Sequence, residues 1–203
     1  GVHMKTVRAS MESGMFSLIM KIDESRHLPS SIFLGGLDLL VLSGEVHYAE
    51  VAETSILTPG TWGYLPANTR TTSIRATQEA EILVNCFNSI AFLNEDNSIS
   101  SILTAMDVNQ LAKEQGVTMV PNSLAECALE RPEPFEGVEA PLAIAQRDAK
   151  DLVEGDSIEN SATYSHPHFI DTRQVPWIIN PDLPDIGLKI LRVSEETGVI
   201  SLI

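Results

Sequence analysis

Apolar and polar residues follow one another in short, strand-like segments through the first ninety residues of the chain, with turn residues between them. The segments rich in apolar or β-branched residues are Phe16–Ile22, Leu37–Leu42, Val46–Val51, Glu81–Phe87 and Ile90–Leu93. Pairs such as Gly35-Gly36 and Pro59-Gly60 separate them and predict turns. Many short strands at close spacing favour a sandwich or a jelly roll over alternating β and α units.

A helical segment follows the strands. The polar turn Asn94–Asn97 leads into the run Asp107–Glu114, which has helical character and is followed by Gly116. Asp107 is predicted to cap the helix at its N-terminus, and Gly116 to end it.

The two ends of the chain repeat one another. Residues 1–19 align with residues 185–203 at a constant offset of 184, with eight identities in nineteen positions. The identical pairs include Lys5/Lys189, Arg8/Arg192 and Gly14/Gly198, and Ser17–Ile19 matches Ser201–Ile203. Duplication of one hairpin unit explains this better than chance similarity.

Composition is that of a globular protein of one or two domains: 203 residues, 43% hydrophobic and 20% charged. The two cysteines, Cys86 and Cys127, are too few for a disulfide framework and favour a reducing compartment. No apolar run is long enough to span a membrane, and the start lacks the layout of a signal peptide. We therefore expect a cytoplasmic protein that does not contact membranes.

The charge balance argues against nucleic acid as a partner. The chain carries 28 acidic and 13 basic residues and a net charge of −15, whereas proteins that neutralise phosphates need the opposite balance. Acidic residues are densest between 124 and 160, in a stretch that also contains prolines. Such a stretch is typical of a solvated linker.

Four stretches of the first half, together with the polar turn and helix after them, resemble the cupin superfamily. They are Val7–Gly14, Leu28–Gly36, Val41–Glu45 and Gly60–Thr71. The resemblance is to small cupins related to 2,4'-dihydroxyacetophenone dioxygenase and to anti-sigma-factor cupin domains. It covers residues 5–116, and residues 169–203 resemble the opening of a second cupin. It implies an all-β jelly-roll barrel followed by a short helix, in a bicupin with a degenerate first barrel.

The resemblance also locates a metal site whose ligands this chain lacks. Cupins hold a divalent metal with imidazoles and a carboxylate. Here the His-x-His positions are Ser31 and Phe33, the acidic position is Leu37 or Asp38, and the last histidine is Thr71. We therefore expect no metal and no other cofactor, the alternative being Fe or another divalent metal.

Other candidate ligands are weak. His47 lies on an alternating strand and could face a barrel interior. His166-Pro-His168 is a His-x-His pair, but two imidazoles are an incomplete site. Cys86 lies in an apolar strand and is interpreted as a small core residue.

Two functions stay open. The first is a cupin-fold protein without the usual metal site, acting as a structural, oligomerising or small-ligand-binding module, with an apolar or carboxylate ligand at the barrel mouth. The residues predicted to line that pocket are Ser31, Phe33, Asp38, His47, Trp62 and Thr71. The core or pocket is further expected to include Phe16, Leu18, Leu40 and Leu42. The alternative is a metal-dependent dioxygenase of the dihydroxyacetophenone or β-diketone-cleaving kind, whose active site lies in a second cupin outside this chain. No catalytic residue is predicted within the chain itself.

The predicted organisation has three parts: a barrel with its helix at 1–116, an acidic linker at 117–165, and opening strands of a second repeat at 166–203. The last part has too many apolar residues to remain in water, and exposed strand edges pair readily. We expect it to add strands to the first barrel, in the same chain or by exchange in a homodimer.

Overall fold

A computed structural model describes residues 1–49, 54–116, 168–179, 185–193 and 200–203. Within these ranges it contains eighteen strands and one helix. The first strands are β1 (Val2–Ala9), β2 (Phe16–Ile22), β3 (His27–Leu28), β4 (Ser31–Phe33), β5 (Leu37–Ser43), β6 (Val46–Ala49), β7 (Thr54–Leu57), β8 (Thr61–Leu65) and β9 (Thr69–Thr71). They are followed by β10 (Ser73–Ala76), β11 (Ala80–Cys86), β12 (Ile90–Leu93), β13 (Ile99–Leu103) and α1 (Ala105–Glu114). The C-terminal strands are β14 (His168–Asp171), β15 (Ile178–Ile179), β16 (Gly187–Leu188), β17 (Ile190–Val193) and β18 (Ile200–Leu202).

Three antiparallel sheets enclose the core. The largest has the order β1-β2-β11-β5-β8-β14, and two four-stranded sheets have the orders β3-β10-β6-β7 and β13-β12-β4-β9. Along β2 every second side chain is buried, because successive residues of a strand point to opposite faces. The core combines residues of all three sheets, including Phe16, Leu39, Tyr48, Ile74 and Ile90.

Strand positions agree closely with the hydrophobic pattern. β2 and β12 have the predicted bounds, and β5 and β11 differ from the prediction by one residue at their ends. β6 ends at Ala49, and the rest of its predicted range lies outside the described residues. Leu42 was expected in the core or pocket, which is wrong: it is 42% exposed, because its neighbour Val41 points into the core and Leu42 points to the opposite face of β5.

The helix begins at Ala105, two residues before the predicted run. Thr104, not Asp107, is the N-cap, and Asp107 is the third helical residue. The backbone N–H of Asp107 donates to Thr104 Oγ1, and the Thr104 backbone N–H donates to the Asp107 carboxylate. This reciprocal arrangement is a capping box, in which Asp takes the place of the usual Glu. The backbone at Gly116 has a positive φ of 68°, and a left-handed residue directly after a helix is a common end signal.

A C-terminal strand completes the large sheet. β14 pairs antiparallel with β8, with Phe169 opposite Gly63. A Cβ at position 63 would lie 2.5 Å from Cδ1 of Phe169, so only glycine admits that ring. Phe169 packs against the core, where its ring meets Tyr48 edge-on with 5.2 Å between the ring centroids.

The repeat in the sequence is matched by a repeat in strand register. In the hairpin β1–β2, Thr6 pairs with Leu18 and Arg8 with Ser17, and the register shifts between them. In the hairpin β17–β18, Ile190 pairs with Leu202 and Arg192 with Ser201, with a shift at the same point. The two hairpins therefore share their pairing and their bulge at the offset of 184 that the sequence shows.

Some expectations concern residues outside the described ranges, namely the acidic linker at 117–165, His166 and Cys127. Cys86 is described and is buried in the core, as predicted. Burial raises the pKa of its thiol, which keeps it protonated and unreactive. None of the described residues forms a helix long and apolar enough to cross a membrane.

Candidate functional site

Three of the expected metal-ligand positions lie side by side inside the barrel. Ser31 on β4 pairs directly with Thr71 on β9, and Phe33 lies two residues further along β4. Thr71 is fully buried, and its hydroxyl is within hydrogen-bonding distance of the carbonyls of Ala49 at 3.0 Å and Ser73 at 3.3 Å. Phe33 is part of the apolar core.

This set does not fit a divalent metal. A cupin-type metal needs several imidazole or carboxylate donors around one point, whereas these positions supply two hydroxyls and an aromatic ring. The Thr71 hydroxyl already lies against backbone carbonyls. Across the described ranges, no three His, Cys, Asp or Glu side chains form a group that could hold a metal ion.

The part of the barrel interior around Ser31 and Phe33 is also nearly full. The cavity that lies there has a volume of about 10 Å³, and apart from Ser31 its lining is apolar. That volume holds one water molecule at most. The side chains that replace the ligands fill the space where a small ligand was expected.

Asp38 and Trp62 lie on the opposite face of the large sheet. Leu37 and Leu39 belong to the core, so Asp38 between them points to the outer face. Trp62 pairs with Leu40 on that same outer face. Of the six residues predicted to line one pocket, Ser31, Phe33 and Thr71 therefore lie inside the barrel, whereas Asp38 and Trp62 lie on the outer face of the large sheet.

His47 belongs to neither group. It lies on β6 between two core residues and points away from them, half-buried. Its Nε2 lies 3.1 Å from Oε1 of Glu45, which also accepts a hydrogen bond from the Thr77 hydroxyl. These two contacts, Thr77 first, lower the pKa of Glu45. The arrangement is a local hydrogen-bonded contact near the surface.

The outer face of the large sheet carries two parallel rows of side chains. Residues that pair across neighbouring strands point to the same face. The polar row runs across β1, β2, β11, β5 and β8 through Arg8, Ser17, Asn85, Asp38 and Tyr64. The apolar row lies two residues further along the strands and consists of Ile19, Leu83, Leu40, Trp62 and Ile170.

The C-terminal hairpin β17–β18 lies over part of these rows and borders a partly open cavity of about 400 Å³, which we call the outer cavity. Its floor includes Arg8, Ser17, Asn85 and Asp38 of the polar row and Leu40, Trp62 and Leu83 of the apolar row. Its roof consists of Leu191 and Ile200–Ile203. This volume is within the range of cavities that bind small molecules.

A buried ion pair joins the floor to the roof. Arg192 Nε lies 3.8 Å from Asp38 Oδ1, and both side chains are more than nine-tenths buried. Ser201 Oγ donates to Asp38 Oδ2 at 2.7 Å. The Arg192 guanidinium also stacks over Tyr64, with 4.0 Å between Cζ and the ring centroid.

The pair is incompletely satisfied. Asp38 Oδ1 and Arg192 Nε are buried without a hydrogen-bond partner, which is costly in a protein interior. Burial raises the pKa of Asp38, although Ser201 and Arg192 act in the opposite direction. The carboxyl is therefore easier to protonate than an exposed aspartate.

Sequence reasoning singled out Asp38 and Trp62 but missed their partners. Arg192 and Ser201 were noticed only as identities of the internal repeat with Arg8 and Ser17. In the structure, Arg8, Ser17 and Ser201 line the outer cavity, and Arg192 lies beside it next to Asp38. The signal was present in the repeat, because a second copy of a hairpin brings a second copy of its polar side chains.

Comparison with known proteins identifies similar folds, all at low sequence identity. No family model matches the chain, and no curated protein does. Among solved structures, an acetylacetone dioxygenase from Acinetobacter johnsonii matches with a TM-score of 0.51 and 12% identity, over 54% of this chain and 75% of that one. A Methylibium petroleiphilum protein proposed to be an acetylacetone dioxygenase matches with a TM-score of 0.52 and 17% identity, over 55% and 78%.

An RmlC-like cupin from Ralstonia eutropha matches equally well, with a TM-score of 0.52 and 13% identity, over 59% of this chain and 79% of that one. Sequence identities this low show a shared fold but do not show a shared activity. The antiparallel sheets, the helix after the strands and these likenesses together show that the chain has the cupin fold.

Proposed function

We propose that this chain is a cupin-fold protein without the usual metal site, which binds a small ligand in the outer cavity. The observation that carries the proposal is the contrast between two volumes, about 10 Å³ inside the barrel and about 400 Å³ outside it. A ligand site needs space and a few polar groups among apolar ones, and the outer cavity combines both.

The roof supports this interpretation. Leu191 is buried and lines the cavity, and Ser201 donates to Asp38 of the polar row. The hairpin thus supplies both apolar and polar groups and still leaves a space above the floor. Because the cavity is partly open to solvent, a small molecule can enter it while the hairpin stays in place.

A neutral fluorescent dye tests the site without depending on charge. N-phenyl-1-naphthylamine is expected to bind the native chain with enhanced emission, and Ser17→Phe should weaken binding roughly tenfold by placing a ring in the cavity. Ser101→Phe is the matched control, because Ser101 is exposed on β13, away from the cavity. Equal binding by both variants would show that the dye reports other apolar surface, and the proposal would fail.

The metal-free character has its own test. Elemental analysis of the purified chain by mass spectrometry should find iron, zinc, nickel and manganese well below one equivalent. Thr71→Ala should leave that content unchanged, because the Thr71 hydroxyl is not a ligand. A stoichiometric metal that is lost on Thr71→Ala would refute this part of the proposal.

A second candidate function is a metal-dependent dioxygenase with its active site in a second cupin. The shared register and bulge of β1–β2 and β17–β18 support a second repeat, and two of the similar structures bear the name acetylacetone dioxygenase. Because that active site lies outside this chain, oxygen uptake with acetylacetone and added Fe²⁺ separates the candidates when it is measured on a longer protein that includes a complete second cupin. The metal-free module predicts no uptake above that of the buffer.

Association into a homodimer is also proposed. β14 pairs with β8 of the same chain here, and exchange of this segment between two copies would preserve every one of these contacts. Light scattering on the purified chain gives the mass: twice that of the chain supports the dimer, and the mass of one chain contradicts it.

A further inference from the structure

The polar row ends in three hydrogen-bond donors that lie next to one another. Arg8 pairs with Ser17 across β1 and β2, and Ser17 pairs with Asn85 across β2 and β11. All three line the outer cavity. A guanidinium, a hydroxyl and an amide in one row can together satisfy the oxygens of a carboxylate.

Among the described side chains that line the cavity, Arg8 is a cation without a counter-ion. Arg8 and Asp38 are the charged side chains that line it. Asp38 is partly offset by Arg192, which lies 3.8 Å away. None of the ion pairs among the described residues involves Arg8, and its side chain is exposed at the mouth of the cavity.

We propose that the ligand of the outer cavity is a small apolar carboxylic acid, whose carboxylate binds Arg8, Ser17 and Asn85 and whose apolar part lies on Leu83 and Leu40. This inference rests on the proposed function, since it specifies the ligand of the same site. The apolar body then packs under Leu191, the buried apolar side chain of the roof.

Asp38 determines which end of the polar row the ligand carboxylate occupies. It lies three strands from Arg8 in the same row, which places their backbones roughly 14 Å apart at the usual strand spacing. A carboxylate at the Asp38 end would meet a second carboxylate, whereas at the Arg8 end it meets a cation. The chain as a whole carries −15, so an anionic ligand depends on this local positive charge.

Calorimetric titration with 3-phenylpropionate and its neutral isostere 3-phenylpropanamide tests the ligand class at physiological ionic strength. We expect the carboxylate to bind roughly tenfold more tightly than the amide, which is the usual range for one charge-assisted hydrogen-bonded contact. Arg8→Gln should remove that difference by weakening carboxylate binding alone. Arg8→Lys, which keeps the charge, should retain most of it.

Lys5→Gln is the matched control. Lys5 lies on the same strand, is exposed, and does not line the cavity, so its loss changes net charge equally. Because salt screens an exposed charge that does not contact the ligand, Lys5→Gln should change the affinity for 3-phenylpropionate by less than about twofold. Equal weakening by Lys5→Gln and Arg8→Gln would show a general field effect and overturn the inference.

The remaining outcomes separate the inference from the proposed function. If both probes bind equally, or if neither binds while the neutral dye still binds in a manner sensitive to Ser17→Phe, the carboxylate assignment is wrong and the ligand site stands. If neither the probes nor the dye bind the cavity, the proposed function itself is refuted.

Discussion

Arg192 Nε and Asp38 Oδ1 lie 3.8 Å apart, buried between the outer face of the large sheet and the hairpin that covers it. The contact joins two residues that lie 154 positions apart in the sequence, with most of the barrel strands and the acidic stretch between them. Because neither atom has a hydrogen-bond partner, the pair holds the hairpin in place at an energetic cost.

Removing one partner of this pair should be worse than removing both. Arg192→Leu leaves a buried carboxylate without its counter-ion and is expected to lower the free energy of unfolding by about 3 kcal/mol. The double variant Asp38→Leu/Arg192→Leu should recover most of that loss, because no uncompensated charge remains. Urea unfolding of the four proteins measures the coupling.

Arg173→Leu is the control for that cycle. Arg173 forms an exposed pair with Asp171, and such pairs contribute little to stability. Additive effects of Asp38→Leu and Arg192→Leu would contradict the buried contact.

Stability should depend on pH through Asp38 in a direction opposite to that of an ordinary ion-paired carboxylate. Burial raises its folded-state pKa above the usual 3.8, so the folded chain binds this proton more tightly than the unfolded chain does. The contribution is present below the unfolded pKa and is lost as pH rises through the folded one. Compared with Asp38→Asn, the native chain should therefore lose stability as pH rises above about 4.

The measurement is the difference in unfolding free energy between the native chain and Asp38→Asn over that pH range. Taking the difference cancels the other carboxylates, such as Asp107 and Asp171, whose lowered pKa values act with the opposite sign. A difference that moves in favour of the native chain with rising pH would show that Arg192 dominates over burial.

The residues that replace metal ligands should matter for stability. Phe33 is 4% exposed in a nearly filled core, so Phe33→Ala is expected to cost about 3 kcal/mol through lost burial and a new cavity. Leu42→Ala, at an exposed apolar position, should change stability by less than about 0.5 kcal/mol. Equal effects in thermal or urea unfolding would place Phe33 outside the core.

Removal of residues 168–203 should uncover Trp62. The chain has two tryptophans, and Trp177 is lost with the deleted segment, so the emission of the truncated chain reports Trp62 alone. Trp62 is 4% exposed under the C-terminal strands, and its emission should shift to longer wavelength. Aggregation of the truncated chain would also support this prediction, because the loss of β14 leaves the edge of β8 free to pair with another chain.

The reference is the full chain with Trp177→Phe, which also contains Trp62 alone but keeps its cover. Matching spectra, with equal resistance to urea, would mean that residues 168–203 do not pack on the barrel.

The hydrophobic pattern predicted the strands well because local alternation and turn residues act over a few positions. β2 and β12 have the expected bounds. The error at the helix start was equally local: Asp107 and Thr104 both suit an N-cap, and the capping box uses both. The pattern alone does not show which of them comes first.

The residues predicted to line one pocket do not lie together, and the reason is different. Alternation shows that Asp38 and Leu39 point to opposite faces, but not which face a ligand approaches. On most half-buried sheets the outer face meets water, and there Asp38 and Trp62 would be surface residues. Here a distant hairpin covers that face, so the outer side becomes a second interior.

The sequence by itself determined the strands, the absence of metal-ligand side chains at Ser31, Phe33 and Thr71, and the duplicated hairpin with its repeated Arg and Ser. Only the tertiary structure decided that the second hairpin lies on the outer face of the sheet, where Arg192 and Ser201 meet Asp38. The physical reason is range: strand formation and donor chemistry depend on residue type and near neighbours, whereas docking depends on apolar surfaces that meet only after the chain has folded.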